Sequence, residues 1–337
     1  MKRRTLLLCA AAAACDRRPR LNVYNWSNYI APDTIPNFER EFGVRIRYGT
    51  YESNEEMLAK AMTGNSGWDV AFPTHSRIGP MAKNGLLAEL DHALHRNTGN
   101  LEPAFQKPSW DPELRYCVPY MWNATGIAYN RSVDPAPKSW ADLWNERLKG
   151  RLTMLDDPED VLGACLQKLG LPFSSTDPGH LLAAKREAIA QKHLVRAYLN
   201  VEVRDQLVSK DVLAAQLWST TSEQAMHASK DLAFVYPSEG FPLYCDNAVI
   251  LRESRRQELA HRFLDYLLRP KVAAAIAQAA ETATPNGAAR MLLPESVRSS
   301  PTLYPSAEVL KRGEWPPALP AAVQRLRDRL WTEIKSA

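Results

Sequence analysis

From residue 21 onward, apolar and polar positions alternate between two periods. Residues 21–25, Leu-Asn-Val-Tyr-Asn, carry strand-favouring side chains and break into a polar turn at 25–28. Residues 33–42 place Ile35, Phe38 and Phe42 on one helical face, and Gly43 ends that segment. A strand over 44–51 follows. Ser53 with Glu56 then forms a capping box opening a helix that Gly64 closes. A strand over 68–72 is stopped by Pro73, and 78–84 reads as a short helix. This β-α-β-α-β-α order implies a mostly parallel sheet with helices on both faces.

After a proline-marked loop, 116–120 and 125–130 read as strands separated by Tyr120-Met121-Trp122, and Ser139 to Asp142 opens a capped helix. A second series begins there: strands over 151–155, 194–199, 213–217, 232–236 and 244–251, with helices over 158–169, 178–192, 222–228, 255–268 and 270–280. The last segment, 321–334, aligns Val323, Leu326, Leu330 and Ile334, and its Arg325, Arg327 and Arg329 read as a solvated face. Two such series with few free linkers predict two lobes joined by crossing strands. The lobes are expected at 21–127 with 247–290, and at 128–246 with 291–337, an arrangement that permits hinge closure.

Composition changes this picture only at the amino terminus. Lys2, Arg3 and Arg4 precede a short apolar run over 6–14 that ends at Cys15, as an export signal does. The expectation is a signal peptide over 1–14 and a tether over 15–20. Small residues directly before Cys15 make it a candidate for lipidation, although Ala12 stands where leucine is commoner; plain soluble export is the alternative. Losing three basic residues lowers Lys+Arg from 42 to 39 against 38 acids, a near-neutral balance that gives no reason to expect nucleic acid as a partner. Cys117, Cys165 and Cys245 then remain, at spacings that match no zinc motif, and a pair among them could be oxidised after export.

No nucleophile elbow, phosphate-binding loop, dinucleotide fingerprint or zinc-protease motif is present, and the seven histidines show no metal-like pairing. His92 and His95 flank a loop and read as solvated. No catalytic residue, metal or cofactor is expected. Asp156, Asp157, Glu159 and Asp160 cluster where a strand passes into a helix, which the positive helix end also favours for purely structural reasons. Strand ends elsewhere carry Trp26, Ser27 and Tyr29; Thr74, His75 and Ser76; Trp122; and Trp218; while Tyr244 and Asp246 open the strand at 244–251. In open α/β sheets ligands bind beyond the carboxyl ends of strands. Rings and carboxylates without an activating base suit an elongated organic cation, whose methylenes lie on aromatic faces and whose ammonium groups pair with acids.

The chain resembles the periplasmic spermidine- and putrescine-binding proteins of ABC importers. Matching segments run in order from Tyr-Asn-Trp-Ser-Asn-Tyr-Ile-Ala-Pro (24–32) through Tyr-Glu-Ser-Asn-Glu (51–55), Trp-Asp-Val-Ala-Phe-Pro (68–73), Val-Pro-Tyr-Met-Trp (118–122) and Ser-Trp-Ala-Asp-Leu-Trp (139–144). They continue with Leu-Asp-Asp-Pro (155–158), Asp-Tyr-Leu-Leu-Arg-Pro (265–270), Thr-Pro-Asn (284–286) and Leu-Tyr-Pro-Ser (303–306). The resemblance implies a two-lobed α/β periplasmic binding protein (type II-like) that acts without catalysis or cofactor, a polyamine ligand, a membrane permease as partner, and a monomer in the periplasm. It carries ligand contact onto Trp26, Ser27, Tyr29, Thr74, Ser76, Asp157, Asp160, Trp218, Tyr244 and Asp246, with Asp246 as the principal ammonium partner. Three positions depart from the family: Thr221 replaces an aspartate of putrescine-type members, Thr282 an aromatic, and Pro316 a glutamine of spermidine-type members. Asp160 replaces a glutamate and is one methylene shorter. The alternatives are a sensing subunit of the same fold, a binder of another small solute, and an enzyme using these acids.

Overall fold

The computed structural model describes residues 18–337. The expected signal segment and Cys15 lie outside them. Among the described residues ten strands form one connected hydrogen-bonded sheet: β1 (Arg20–Trp26), β2 (Arg45–Tyr51), β3 (Val70–Ala71), β4 (Cys117–Asn130), β5 (Leu152–Met154), β6 (Val195–Tyr198), β7 (Ala214–Trp218), β8 (Leu232–Val235), β9 (Phe241–Ile250) and β10 (Gly313–Glu314). The order is β2-β1-β3-β9-β4-β7-β5-β6, with β10 beside β9 and β8 beside β4. β2, β1 and β3 are parallel, as are β6, β5 and β7, and the two triplets are the sheets of the two lobes.

What joins them is β4 with β9. Residues 117–124 of β4 pair antiparallel with 243–249 of β9, and residues 125–130 pair with β7 on one side and β8 on the other. The two strands expected at 116–120 and 125–130 are therefore one strand of 14 residues, with a register shift between Pro119 and Met121. A proline lacks the N–H a ladder requires, so the local pairing slips instead of ending. Where β8 meets β4, the backbone comes so close that a Cβ on Gly126 would stand 2.7 Å from the Val235 carbonyl.

Most helices match the periodicity. The first runs Thr34–Phe42 and is closed by Gly43 at φ 64°, a left-handed turn that glycine adopts without strain. Its Phe38 ring meets Phe263 edge-on at 5.0 Å, anchoring the first lobe's core on the helix Gln257–Leu267. The Ser139–Asp142 capping box is present, but the helix it opens is a 3₁₀ segment, Trp140–Trp144, whose Trp140 is fully buried.

Several expectations are corrected. β9 starts at Phe241, so Tyr244 and Asp246 lie inside the strand and not at its opening. The expected strand over 68–72 shrinks to two residues because Asp69 turns its carboxylate onto Asn22 N–H and the Ser254 hydroxyl. The helix expected over 78–84 begins at His75, and Pro80 sits within it. His95 is buried, with Nε2 2.8 Å from His261 Nδ1. Arg327 is only 1% exposed, because three-and-four spacing puts it on the stripe of Leu330, Trp331 and Ile334, which packs against the second lobe. Cys117, Cys165 and Cys245 are buried free thiols.

Candidate functional site

The strand register alone brings most of the predicted residues into one row. Directly opposed residues of an antiparallel pair project to the same face, with Cβ atoms about 5 Å apart. Asn123 opposes Tyr244, Thr125 opposes Trp218, and Thr74 bridges Asp246. Tyr244 and Asp246 are two apart on β9, as Asn123 and Thr125 are on β4, so each pair shares a face. The resulting line, Thr74, Asp246, Tyr244 with Asn123, then Thr125 with Trp218, runs across both crossing strands from the first lobe into the second.

At the first-lobe end, the buried Asp246 carboxylate accepts from the Thr74 hydroxyl at 2.9 Å. Thr74 is itself held by Asn54, whose side-chain amide donates to its hydroxyl at 3.0 Å and accepts from its N–H at 3.2 Å. The Tyr29 hydroxyl also faces Asp246 and lies beside Asn123 and Thr282. Burial lifts the Asp246 carboxyl to about 7 against the pull of these two hydroxyls. Burial and the Asp246 charge together push the Tyr29 phenol well up, so it remains a neutral donor.

At the second-lobe end, β5 runs into the helix Pro158–Lys168, and the acids lie in its first turn. Asp157 caps that helix, accepting from Glu159 N–H at 2.7 Å and Asp160 N–H at 3.3 Å. Asp160 is buried and accepts from Tyr244 OH at 3.2 Å and from Trp218 Nε1–H at 3.4 Å. Burial, then the mutual repulsion of these acids, raises the Asp160 and Glu159 carboxyls, Glu159 to about 7. The guanidinium of Arg327, anchored on the carbonyls of Phe173 and Ser175, pulls Glu159 back down. Asp157 is raised by burial and lowered by its two backbone donors, with Arg77 of the first lobe a further lowering influence.

The remaining predicted residues divide. Trp26 stands in the first-lobe wall, donating from Nε1 to the Phe72 carbonyl at 2.8 Å with its ring 4.6 Å from Tyr51. Tyr51 in turn feels the Asp246 charge. Ser27 is turned outward onto Glu52, and Ser76 is half-buried in the first turn of His75–Lys83. Neither touches Asp246 among the described residues. Pro316, at the departing position, accepts through its carbonyl from the His75 ring at 2.9 Å, and Trp315 packs edge-on against that ring at 5.4 Å.

Sequence reasoning missed Asn123 and Thr125, named Glu159 only within the acidic cluster, and took Arg327 as solvated surface. The first two are detectable: they are polar side chains interrupting the otherwise apolar run of β4 at a spacing of two. Both side-chain oxygens are buried in the row, that of Asn123 beside the Tyr29 hydroxyl and that of Thr125 beside the Asp160 carboxylate, and neither makes a short, well-aligned hydrogen bond. Acceptors, carboxylates and rings in one row can receive an N–H donor with an apolar body; no group of three or more acids, histidines and cysteines that could hold a metal ion occurs among the described residues.

The chain matches the model of the bacterial extracellular solute-binding proteins over residues 34–303, and it belongs to that family. It is 36% identical over 313 residues, 92% of this chain and 90% of the other, to the spermidine/putrescine-binding periplasmic protein of Escherichia coli K12. It is 32% identical over 345 residues, 97% of each chain, to the putrescine/cadaverine-binding protein of Pseudomonas aeruginosa. Among solved structures, the spermidine/putrescine ABC transporter substrate-binding protein PotD of Streptococcus pneumoniae superposes with a TM-score of 0.85 at 30% identity, covering 94% of this chain and 99% of that one. The TpPotD lipoprotein of Treponema pallidum does so with a TM-score of 0.83 at 25% identity and the same coverage. The expected two-lobed fold and family are thus established. No helix among the described residues is long and apolar enough to cross a membrane.

Proposed function

We infer that this chain is the exported solute receptor of an ABC importer and that its solute is a polyamine. The observation that carries the reading is the pair of buried acid groups set apart along one row, Asp246 at one end and Asp157 with Asp160 at the other, with the Tyr244 and Trp218 rings between them. Each end holds one ammonium through charge-assisted bonds, and the rings cover the methylenes. Asn123, between the two ends beside the Tyr29 hydroxyl, offers its side-chain oxygen to the amine midway. Trp26, Tyr29 and Thr74 complete the first-lobe wall, and Ser27 and Ser76 approach the ligand only on closure.

Closure rotates 21–127 with 247–290 against 128–246 with 291–337, bending β4 and β9. The closed monomer delivers its solute to a membrane permease, and export with lipidation at Cys15 keeps it beside that permease in the periplasm. The relatives named for spermidine, putrescine and cadaverine support the solute class.

A thermal-shift panel of putrescine, cadaverine, spermidine and agmatine tests this. At 100 times its dissociation constant a true ligand stabilises by about 2.7 kcal/mol. Stabilisation by none of the four, with a shift from a neutral or anionic solute, overturns the polyamine assignment.

A further inference from the structure

At the opposite end of the first lobe's parallel strands a cavity of about 1220 Å³ opens beside the amino ends of β1 and β2. Trp26 and Tyr51 close the carboxyl ends of those same seven-residue strands, so cavity and cleft lie about 20 Å apart. Six exposed arginines line the cavity: Arg18, Arg20, Arg45, Arg47, Arg255 and Arg256.

Three carboxylates share the lining, and each is turned onto a neighbour. Glu39 accepts from Ile46 N–H at 2.7 Å and from Arg45 at 3.3 Å. Asp69 accepts from Asn22 N–H at 2.7 Å and the Ser254 hydroxyl at 2.6 Å. Glu253 accepts from Ser66 N–H at 2.8 Å. Six arginines against three acids leave a net positive basin. The Arg47 guanidinium is held 4.4 Å above the Trp68 ring. A cationic solute has no use for such a surface, so it is not an outpost of the cleft.

We propose that this basin binds the phosphate headgroups of anionic phospholipids and rests the first lobe on a bilayer with the cleft facing away. Guanidinium groups match phosphate oxygens in pairs, and a basin with six of them is broader than one free phosphate requires. The chain itself points to the occupant. Arg18 and Arg20 line the rim, and Cys15, the candidate attachment point for an acyl chain, lies three residues before Arg18. Three residues reach at most about 10 Å, so a bilayer holding Cys15 lies within reach of the basin's rim. The inference does not depend on which solute the cleft takes.

The test uses residues 15–337 with Cys15→Ser, the chain left once the expected signal segment is removed and without the acyl attachment point, and vesicles of phosphatidylcholine with or without about a third phosphatidylglycerol. Binding is expected only with the anionic lipid and is lost near 1 M salt, where charges reach only about 3 Å. Each basic residue near such a surface contributes about fivefold, so R255E/R256E loses at least about 25-fold. R325E/R329E on the last helix leaves binding unchanged, and both variants keep the parent's melting temperature. Equal binding to both vesicle types, or an R255E/R256E chain that binds as the parent does, overturns the proposal. So does tight calorimetric binding of inorganic phosphate that R255E/R256E abolishes without any vesicle binding, since the basin would then serve a free anion.

Discussion

The two ends of the cleft use carboxylates in different ways. Asp246 receives only neutral hydroxyl donors, from Thr74 and Tyr29, in the middle of a strand. Asp157 caps a helix amino terminus, where two backbone N–H groups and the helix dipole already offset part of its charge, while Asp160 beside it stays raised by burial and by its acidic neighbours. An acid that the fold leaves uncompensated is held for a partner. An acid that the fold compensates also has a structural duty, so a ligand finds it less demanding. The two ends of one ligand should therefore contribute unequally.

The sharpest way to break this comparison is Asp246→Asn, which keeps the shape and removes the charge. Polyamine affinity should fall by at least about 2 kcal/mol, roughly 30-fold or more, and the melting temperature of the unliganded protein near pH 8 should not fall. Unchanged affinity by calorimetry would show that Asp246 is not the principal anchor.

Next in size is a pH effect. Burial raises the Asp246 carboxyl from 3.8 to about 7 in the folded protein. Its contribution to stability is therefore full below about pH 4 and is lost as pH rises through 7, on the order of 2–4 kcal/mol. An ammonium beside the carboxylate offsets that loss. Ligand-induced thermal shifts should accordingly grow from pH 5 to pH 8, and a flat profile would contradict the Asp246 environment described above.

Asp157→Ala should separate capping from binding. Loss of the cap lowers stability by about 1 kcal/mol without any ligand, and affinity should drop less than for Asp246→Asn. A larger drop at Asp157 would reverse the ranking of the two ends. The smallest effect is expected for Tyr244→Phe, which keeps the ring and removes one donor to Asp160. An affinity change of about 0.5–1.5 kcal/mol by titration fits a single hydrogen bond; a loss as large as that of Asp246→Asn would give the hydroxyl a direct role on the ligand.

Local periodicity made the βα order legible, because each strand and helix here is short and separately punctuated. The family resemblance then singled out Asp246 and Trp218 as candidates. The rest depended on pairing between distant segments, which no single stretch encodes. β4 reads as two strands because Tyr120-Met121-Trp122 breaks the alternation between 116–120 and 125–130, and only β9 beside it makes the run continuous. Asn123 and Thr125 look like stray polar residues until Tyr244 and Trp218 are placed opposite them. Arg327 reads as surface because arginine usually is, although its helical position already coincides with the buried stripe. His95 likewise needs His261 to explain its burial.

The crossing topology also fixes an order of assembly. β3 must wait for its neighbour β9, since Val70 pairs with Ile250. Between them the ribosome makes all of β4 through β8, so the second sheet is complete in sequence before the first can close. Pairings of such long sequence separation form slowly. Among the described strands only β10 is made later than β9, so the strand that carries Asp246 reaches the first lobe only after the whole second-lobe sheet has been synthesised.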